Sequence, residues 1–258
     1  MSLRRRHFLS SLVAAPALFG ASTLPMRRRN ESGPRDTQSP FDPSRSAIIL
    51  CDMWDKHWCR GANERLVPII ERSRPLLEAA RKRRMVIIHA PSETMQFYKD
   101  APQRLAAINA PKAAPPSALA LDAPPLPIDD TGGGCDTGDP KNVKMWTREH
   151  AGVLIAPEDF ISDKGDEVYS ILKLRGIQTL FVMGVHTNMC ILNRTFAIKQ
   201  MSKWGVQCVL IRDLTDSMYN PADRPFVSHE KGTNLVIEFI ERYWCPSTTS
   251  ANLLAALR

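Results

Sequence analysis

The chain has 258 residues, enough for one large domain or two small ones. Its 34 Lys and Arg against 27 Asp and Glu give a formal charge of +7, but residues 1–29 alone hold six arginines and no acid. Beyond residue 29 the balance is 28 basic to 27 acidic, so the basic character gives no reason to expect nucleic acid as a partner.

The N-terminal segment reads as an address. Arg5-Arg6-His7-Phe8-Leu9 follows the twin-arginine export pattern, and a mildly apolar, Ala-rich run continues from Leu9 to Ala21. That run is too short and too weakly hydrophobic to span a membrane but suits a signal h-region, and Gly20, Ala21 and Ser22 offer small residues for cleavage. The expectation is an export signal over 1–29, read by the twin-arginine machinery, delivering the protein to the periplasm or beyond without stable membrane insertion. A basic N-terminus with no targeting role, or a retained anchor, is the plainer alternative. Residues 30–45, rich in Ser, Pro, Asp and Arg, read as a linker.

Regular elements then begin. Ala47-Ile-Ile-Leu-Cys-Asp52 has the form of a fully buried parallel strand. Glu64 to Arg83 carries Leu66, Ile69, Ile70, Leu76, Leu77 and Ala80 at helical spacing, and Met85 to His89 is a second strand. From Ala90 to His150 the pattern fails amid Pro and Gly, which predicts a long loop insertion of the kind that walls a pocket. Gly165 to Arg175 is a predicted helix, Thr179 to Val185 and Val206 to Leu214 are strands, and a helix is expected between them from Ile191 to Trp204. A helix within Val227 to Trp244 closes the domain, leaving 247–258 as a tail. Strands alternating with helices predict an α/β fold over 46–246: three layers, αβα, with an open, mostly parallel sheet and helices on both faces.

Cys190 is the first candidate for chemistry. It falls where a strand ends and a helix begins, the rim on which open α/β sheets place ligands, and a helix N-terminus favours thiolate over thiol. A buried structural cysteine is the bland alternative. Asp52 ends the first strand and so shares that rim. A carboxylate there, its pKa raised by a partly apolar pocket, could take the thiol proton. His57 is a competing base, and His89 at the next strand end reads as a pocket-wall hydrogen-bonder. Trp54 and Trp58 suggest aromatic pocket walls, or core tryptophans. A cation beside thiolate and substrate would complete the site. Lys164, after a possible short strand Phe160–Ser162, is the first choice, with Lys144 and Arg148 as competitors, although any single lysine is more often surface charge.

Six cysteines in an exported chain invite disulfides, yet no framework spacing occurs; Cys51 and Cys208 sit in apolar strands, and a Cys59–Cys135 or Cys135–Cys245 bridge stays open. The acidic, glycine-rich stretch Asp129–Asp139 lacks the EF-hand pattern and its closing Glu, so it reads as a turn.

Gly184-Val-His-Thr-Asn-Met-Cys190, preceded by Ile48-Ile-Leu-Cys-Asp52, resembles the isochorismatase-like cysteine hydrolase superfamily, which includes nicotinamidases and N-carbamoylsarcosine amidases. The resemblance spans roughly residues 45 to 245 and implies a Rossmann-like topology, Cys190 as nucleophile, Asp52 as base and Lys164 as cation. Lys164 precedes the cysteine by 26 residues, closer than in the family, and the family's Ser-Ala-Phe after the lysine is absent, so Lys144 and Arg148 stay in contention. The resemblance also implies a cis peptide at Val185–His186, aiming backbone N–H groups that include the one of Cys190 at an oxyanion. The paired histidines of nicotinamidases are missing after His89, so neither metal nor cofactor is expected. The implied activity is hydrolysis of a small amide or N-carbamoyl C–N bond through a thioester, in a homo-oligomer acting on a small molecule. Isochorismatase-type hydrolysis, in relatives that lack the cysteine, and an exported, catalytically inactive binding protein are the alternatives.

Overall fold

A computed structural model describes residues 22–141 and 144–258. Its core is one eight-stranded, mostly parallel sheet. In chain order the strands are β1 (Ser22–Asn30), β2 (Gly33–Phe41), β3 (Ser46–Cys51), β4 (Val86–Ala90), β5 (Phe160–Ile161), β6 (Thr179–Val185), β7 (Gln207–Asp216) and β8 (Ser247–Thr248). The helices are α1 (Arg60–Lys82), α2 (Pro102–Asn109), α3 (Gly165–Leu174), α4 (Cys190–Asn193), α5 (Ile198–Lys203), α6 (His229–Tyr243) and α7 (Ser250–Ala256). Across the sheet the order is β2-β1-β8-β7-β6-β3-β4-β5, antiparallel only where β1 meets its two neighbours.

The central strands are apolar throughout because both faces are covered. Along β3, Ile48 and Leu50 face one layer while Ala47, Ile49 and Cys51 face the other. The first layer is α1 and α7, through Leu66, Ile69, Ile70 and Leu253; the second is α3 to α6, through Val168, Ile171, Leu192, Met201, Val236 and Ile240. The expected three-layer α/β architecture is what the structure shows.

Three expected boundaries are corrected. Residues 30–45 are not a linker, because Ser22–Asn30 and Gly33–Phe41 form a hairpin at the sheet edge, which also takes in residues 22–29 of the segment expected to be a signal. Among these residues only Leu24 and Phe41 are buried, so an exposed edge hairpin carries almost no hydrophobic alternation; Pro34 and Pro40 sit in β2, the outermost strand, where a missing donor is tolerated. The expected twin-arginine pattern and its apolar run, residues 1–21, lie outside the described residues. The 247–258 tail is instead β8 and α7, whose Leu253 is fully buried and packs in the same apolar layer as α1. The helix expected from Ile191 to Trp204 is two short ones, α4 and α5, broken at Arg194–Ala197. The insertion after β4 contains α2 and is otherwise irregular among the described residues, as expected, and an isolated bridge joins its Glu149 to Trp54 in the segment after β3. Among the described residues no helix is long and apolar enough to cross a membrane.

Candidate active site

Parallel pairing of β3 with β6 puts Cys51 opposite Gly184, so the residues that follow each strand emerge together. Gly184 is required there. Its φ is +112°, and a Cβ would lie 2.1 Å from the Cys51 carbonyl oxygen. The Val185–His186 peptide is cis, as the resemblance implied, and the turn then delivers Cys190 as the first residue of α4. Asn188, buried, fixes this turn. Its side-chain amide donates to Asp130 Oδ2 (2.8 Å) and the Met218 carbonyl (3.0 Å) and accepts from the Met218 N–H (2.9 Å).

Asp52 is fully buried at φ +50°, a conformation that non-glycine residues adopt rarely and often at functional sites. Its N–H donates to the Ala90 carbonyl (3.1 Å). One carboxylate oxygen accepts from the Ser92 N–H (2.7 Å) and the other from Arg194 Nε (2.9 Å), and the Cys190 thiol lies near enough to this carboxylate for its charge to raise the thiol pKa. Cys190, Asp52 and Arg194 therefore form one contiguous group.

Electrostatics fixes the resting proton. Burial, then the Asp52 charge, raises the Cys190 pKa far above an ordinary thiol, against the pull of Arg194. Burial also raises Asp52, but Arg194 and the hydrogen bonds from Cys190 and Ser92 oppose that shift. Burial works against the charge of Arg194, yet Asp52 outweighs it and the guanidinium pKa rises. At neutral pH Cys190 is thus a thiol, beside a carboxyl group whose ionisation Arg194 favours. The expected thiolate at a helix N-terminus is corrected: α4 has only four residues, too short for an appreciable dipole, and the neighbouring anion dominates.

Sequence reasoning named three cations, and the structure joins none of them to Cys190 or Asp52. Lys164 caps α3 with a largely exposed side chain, 3.6 Å from Asp163. Lys144 donates to the Glu93 carbonyl, and Arg148 lies over the Phe97 ring at 5.4 Å. Arg194 takes the place they were expected to fill, and its Nη1 also reaches Glu93 Oε1 at 3.3 Å. The signal in the sequence was a weak one: Arg194 is four residues after Cys190, at helical spacing, but it caps α4 rather than continuing it.

Trp54 is buried beside the group and is not among the residues that line the cavity at Cys190. It lies beneath the Arg194 guanidinium (5.9 Å to the ring centroid), stacks on Trp146 of the insertion (4.2 Å) and donates to the Ser92 carbonyl (3.1 Å). His57 packs among Trp146, Trp58 and His186, while its Nδ1 accepts the Cys59 N–H. Burial pushes His57 down to about 4 and, joined by the neighbouring His57, pushes His186 down to about 3, so both rings are neutral near pH 7. His89 is no pocket wall. It is fully buried between Glu149 (2.7 Å) and Asp159 (3.0 Å), which overcome the cost of burial and raise it to about 9.

The glycine-rich loop is a pinned turn. Cys135 is disulfide-bonded to Cys59, the pairing left open with Cys135–Cys245, and Asp136 makes a bidentate pair with Arg65. Cys59, Cys135 and Asp139 cluster closely enough for a metal, but the sulfurs are committed to each other. A cavity of about 470 Å³ opens at Cys190, lined also by Arg194, Lys199, Asp130, Leu126 and Met189. A larger one, about 730 Å³, lies at the opposite rim, by the starting residues of β6 and β7, and holds none of this group.

No protein-family model matches this chain, and no curated protein matches it. Solved structures do. A cysteine hydrolase from Pseudomonas syringae pv. phaseolicola superimposes with a TM-score of 0.54 at 17% identity, covering 85% of this chain and 95% of that one. The MAR1 ribonuclease from Caenorhabditis elegans gives 0.50 at 16%, covering 84% and 83%. An isochorismatase family protein from Burkholderia thailandensis gives 0.48 at 16%, covering 83% and 96%. With the strand order and the Gly184–Cys190 turn in place, the chain has the isochorismatase-like α/β fold.

Proposed function

We propose that this chain is a cysteine-dependent hydrolase of small amides or N-carbamoyl compounds. The observation that carries the reading is a buried Asp52 held by Arg194 (2.9 Å) on the same sheet rim as Cys190, close enough for its charge to raise the thiol pKa. Asp52 takes the thiol proton as sulfur attacks the carbonyl carbon, and the oxygen of the tetrahedral state gains the negative charge. The Cys190 N–H, first in its helix and without an intrahelical acceptor, is a donor for that oxygen. The Asp52 proton passes to the leaving nitrogen, ammonia or an amine departs, and a thioester remains. Water then attacks, Asp52 takes its proton, and the thiol re-forms as acid is released. Arg194 acts through its charge alone, since a guanidinium does not give up its proton in this range.

The alternative of an inactive binding protein rests on the displaced lysine, and Arg194 beside Asp52 supports the enzyme reading over it. Isochorismatase-type hydrolysis is disfavoured by the cysteine itself. A screen for ammonia release over small amides and N-carbamoyl compounds tests the proposal, with Cys190→Ala as control. Release that depends on Cys190 upholds it; equal release by the variant sinks it.

Export by the twin-arginine route is part of the same proposal. The Cys59–Cys135 disulfide supports it, because such bonds persist in oxidising compartments. Replacing Arg5 and Arg6 by Lys should keep the protein in the cytoplasm.

A further inference from the structure

The larger cavity, about 730 Å³, opens at the rim opposite Cys190 and takes no part in the reaction above. β8, the strand between β1 and β7, is only two residues long and meets β1 at a single pair, Arg27 with Ser247. The cavity is lined from both sides of that short strand, by Arg28 on β1 and by the first residues of β7.

Two arginines line it, Arg28 and, just before β3, Arg45. Neither pairs with a carboxylate among the described residues, whereas Arg27 and Arg29, on either side of Arg28, pair with Asp36 and Glu241. Arg45 is held by a neutral partner instead. The Gln178 N–H donates to the Arg45 carbonyl (2.8 Å), and the Gln178 side-chain oxygen, with the amide turned to satisfy both its ends, accepts from Arg45 Nη2 at 2.7 Å. Such an acceptor orients a guanidinium and leaves its charge uncompensated. Asp42 is the one carboxylate in the lining, and its Oδ1 is taken by the Ser44 N–H (2.9 Å) and hydroxyl (2.7 Å). Arg28 and Arg45 against Asp42 leave the lining positive. Phe41, Val206 and Trp244 add apolar wall. Trp244 is 8% exposed, and its indole N–H is buried with no acceptor, an unmet donor of a kind that folded proteins seldom leave.

We infer that this cavity is a second ligand site, for a small organic acid with an apolar body. The carboxylate lies at Arg28 and Arg45, where a guanidinium can offer two parallel N–H groups, and the body lies against Phe41, Val206 and Trp244. A volume of about 730 Å³ is that of a small-molecule site. The cavity shares no lining residue with the one at Cys190, so the inference stands apart from the hydrolase reading.

Titration calorimetry of the full chain with 2-naphthoate and with 2-naphthalenemethanol, its uncharged counterpart, tests the site. The acid should bind about tenfold or more tightly than the alcohol, the worth of a charge-assisted hydrogen bond. Arg28→Met and Arg45→Met should each weaken the acid about tenfold and bring it toward the alcohol. Both residues are exposed, so neither replacement disturbs the core. Lys199→Met, which removes a cation from the Cys190 cavity, should leave the affinity unchanged. No saturable binding of the acid, equal affinities for acid and alcohol, or acid binding that both arginine variants leave intact overturns the inference. A loss on Lys199→Met as large as that on Arg45→Met also overturns it, since it would place the acid beside Cys190.

Discussion

Arg194 Nε lies 2.9 Å from Oδ2 of Asp52, a residue 142 positions earlier in the chain. Four residues from Cys190, the guanidinium closes the circuit between the nucleophile's turn and the base's strand. Asp52 is completely buried, so removing its cation leaves a carboxylate without compensation, a loss of about 3 kcal/mol or more. Arg194→Gln should therefore lower kcat/KM about 100-fold. It should also move the acid limb of the pH profile upward, because the ionised form of Asp52 loses the charge that opposes its burial. An unchanged acid limb would show that Arg194 does not tune this carboxylate. Arg194→Lys should retain part of the rate, as it keeps the charge without the planar fork.

The thiol's proton sets a second expectation. Asp52 raises the Cys190 pKa, so alkylation by iodoacetamide should be slow near neutral pH and should climb well above about pH 9, the ordinary thiol range. Asp52→Asn removes the anion. The variant should be alkylated faster than the wild type at about pH 9 while losing turnover, a reversal that a standing thiolate would not give. Cys51, Cys208 and Cys245 are buried, so peptide mass mapping reads Cys190 alone. Slower alkylation in Asp52→Asn would mean that the carboxylate activates the ground state rather than the attack.

Much of this site was readable in the chain, and the part that was not has physical reasons. Asp52 and Cys190 terminate apolar strands, and a parallel sheet must put such residues on one rim. Arg194 is hard to read from spacing because it caps a four-residue helix and leaves it in an extended conformation, while the family pattern points upstream to Lys164. The β1–β2 hairpin was invisible for a different reason. An edge ribbon that buries only Leu24 and Phe41 has the composition of a linker, and nothing local separates the two. His89 looked like a pocket residue by position. Its partners, Glu149 and Asp159, are 60 and 70 residues away, and no sequence spacing discloses a buried ion triad of that kind.

That triad makes stability depend on pH. His89 is raised from 6.5 to about 9 by Glu149 and Asp159 despite its burial. A group whose folded pKa lies above its unfolded value stabilises fully below the unfolded pKa, and the contribution is lost as pH rises through the folded one. The window is therefore about pH 6.5 to 9, and the amount is on the order of 3 kcal/mol. Thermal melts of wild type and His89→Gln should differ most at about pH 6 and converge toward about pH 9.5. A difference in Tm that stays constant across that range would mean that His89 is neutral in the folded protein.

The disulfide offers the last test, and it separates stability from chemistry. Cys59 and Cys135 are 76 residues apart, and closing a loop of that length restricts the unfolded chain by about 4 kcal/mol, an upper value since engineered and native bridges often deliver less. The bridge anchors the loop bearing Asp136, which pairs with Arg65, and Asp130, which holds Asn188. Arg65 also binds Asp216, whose carbonyl accepts the Thr187 N–H in the nucleophile's turn. Those contacts do not involve sulfur, so they should keep the turn in place once the bond is cut. A Cys59→Ser/Cys135→Ser protein should melt several degrees lower, yet retain kcat/KM within about threefold at a temperature where it is folded. Collapse of activity in a folded double variant would show instead that the bridge itself holds the catalytic geometry.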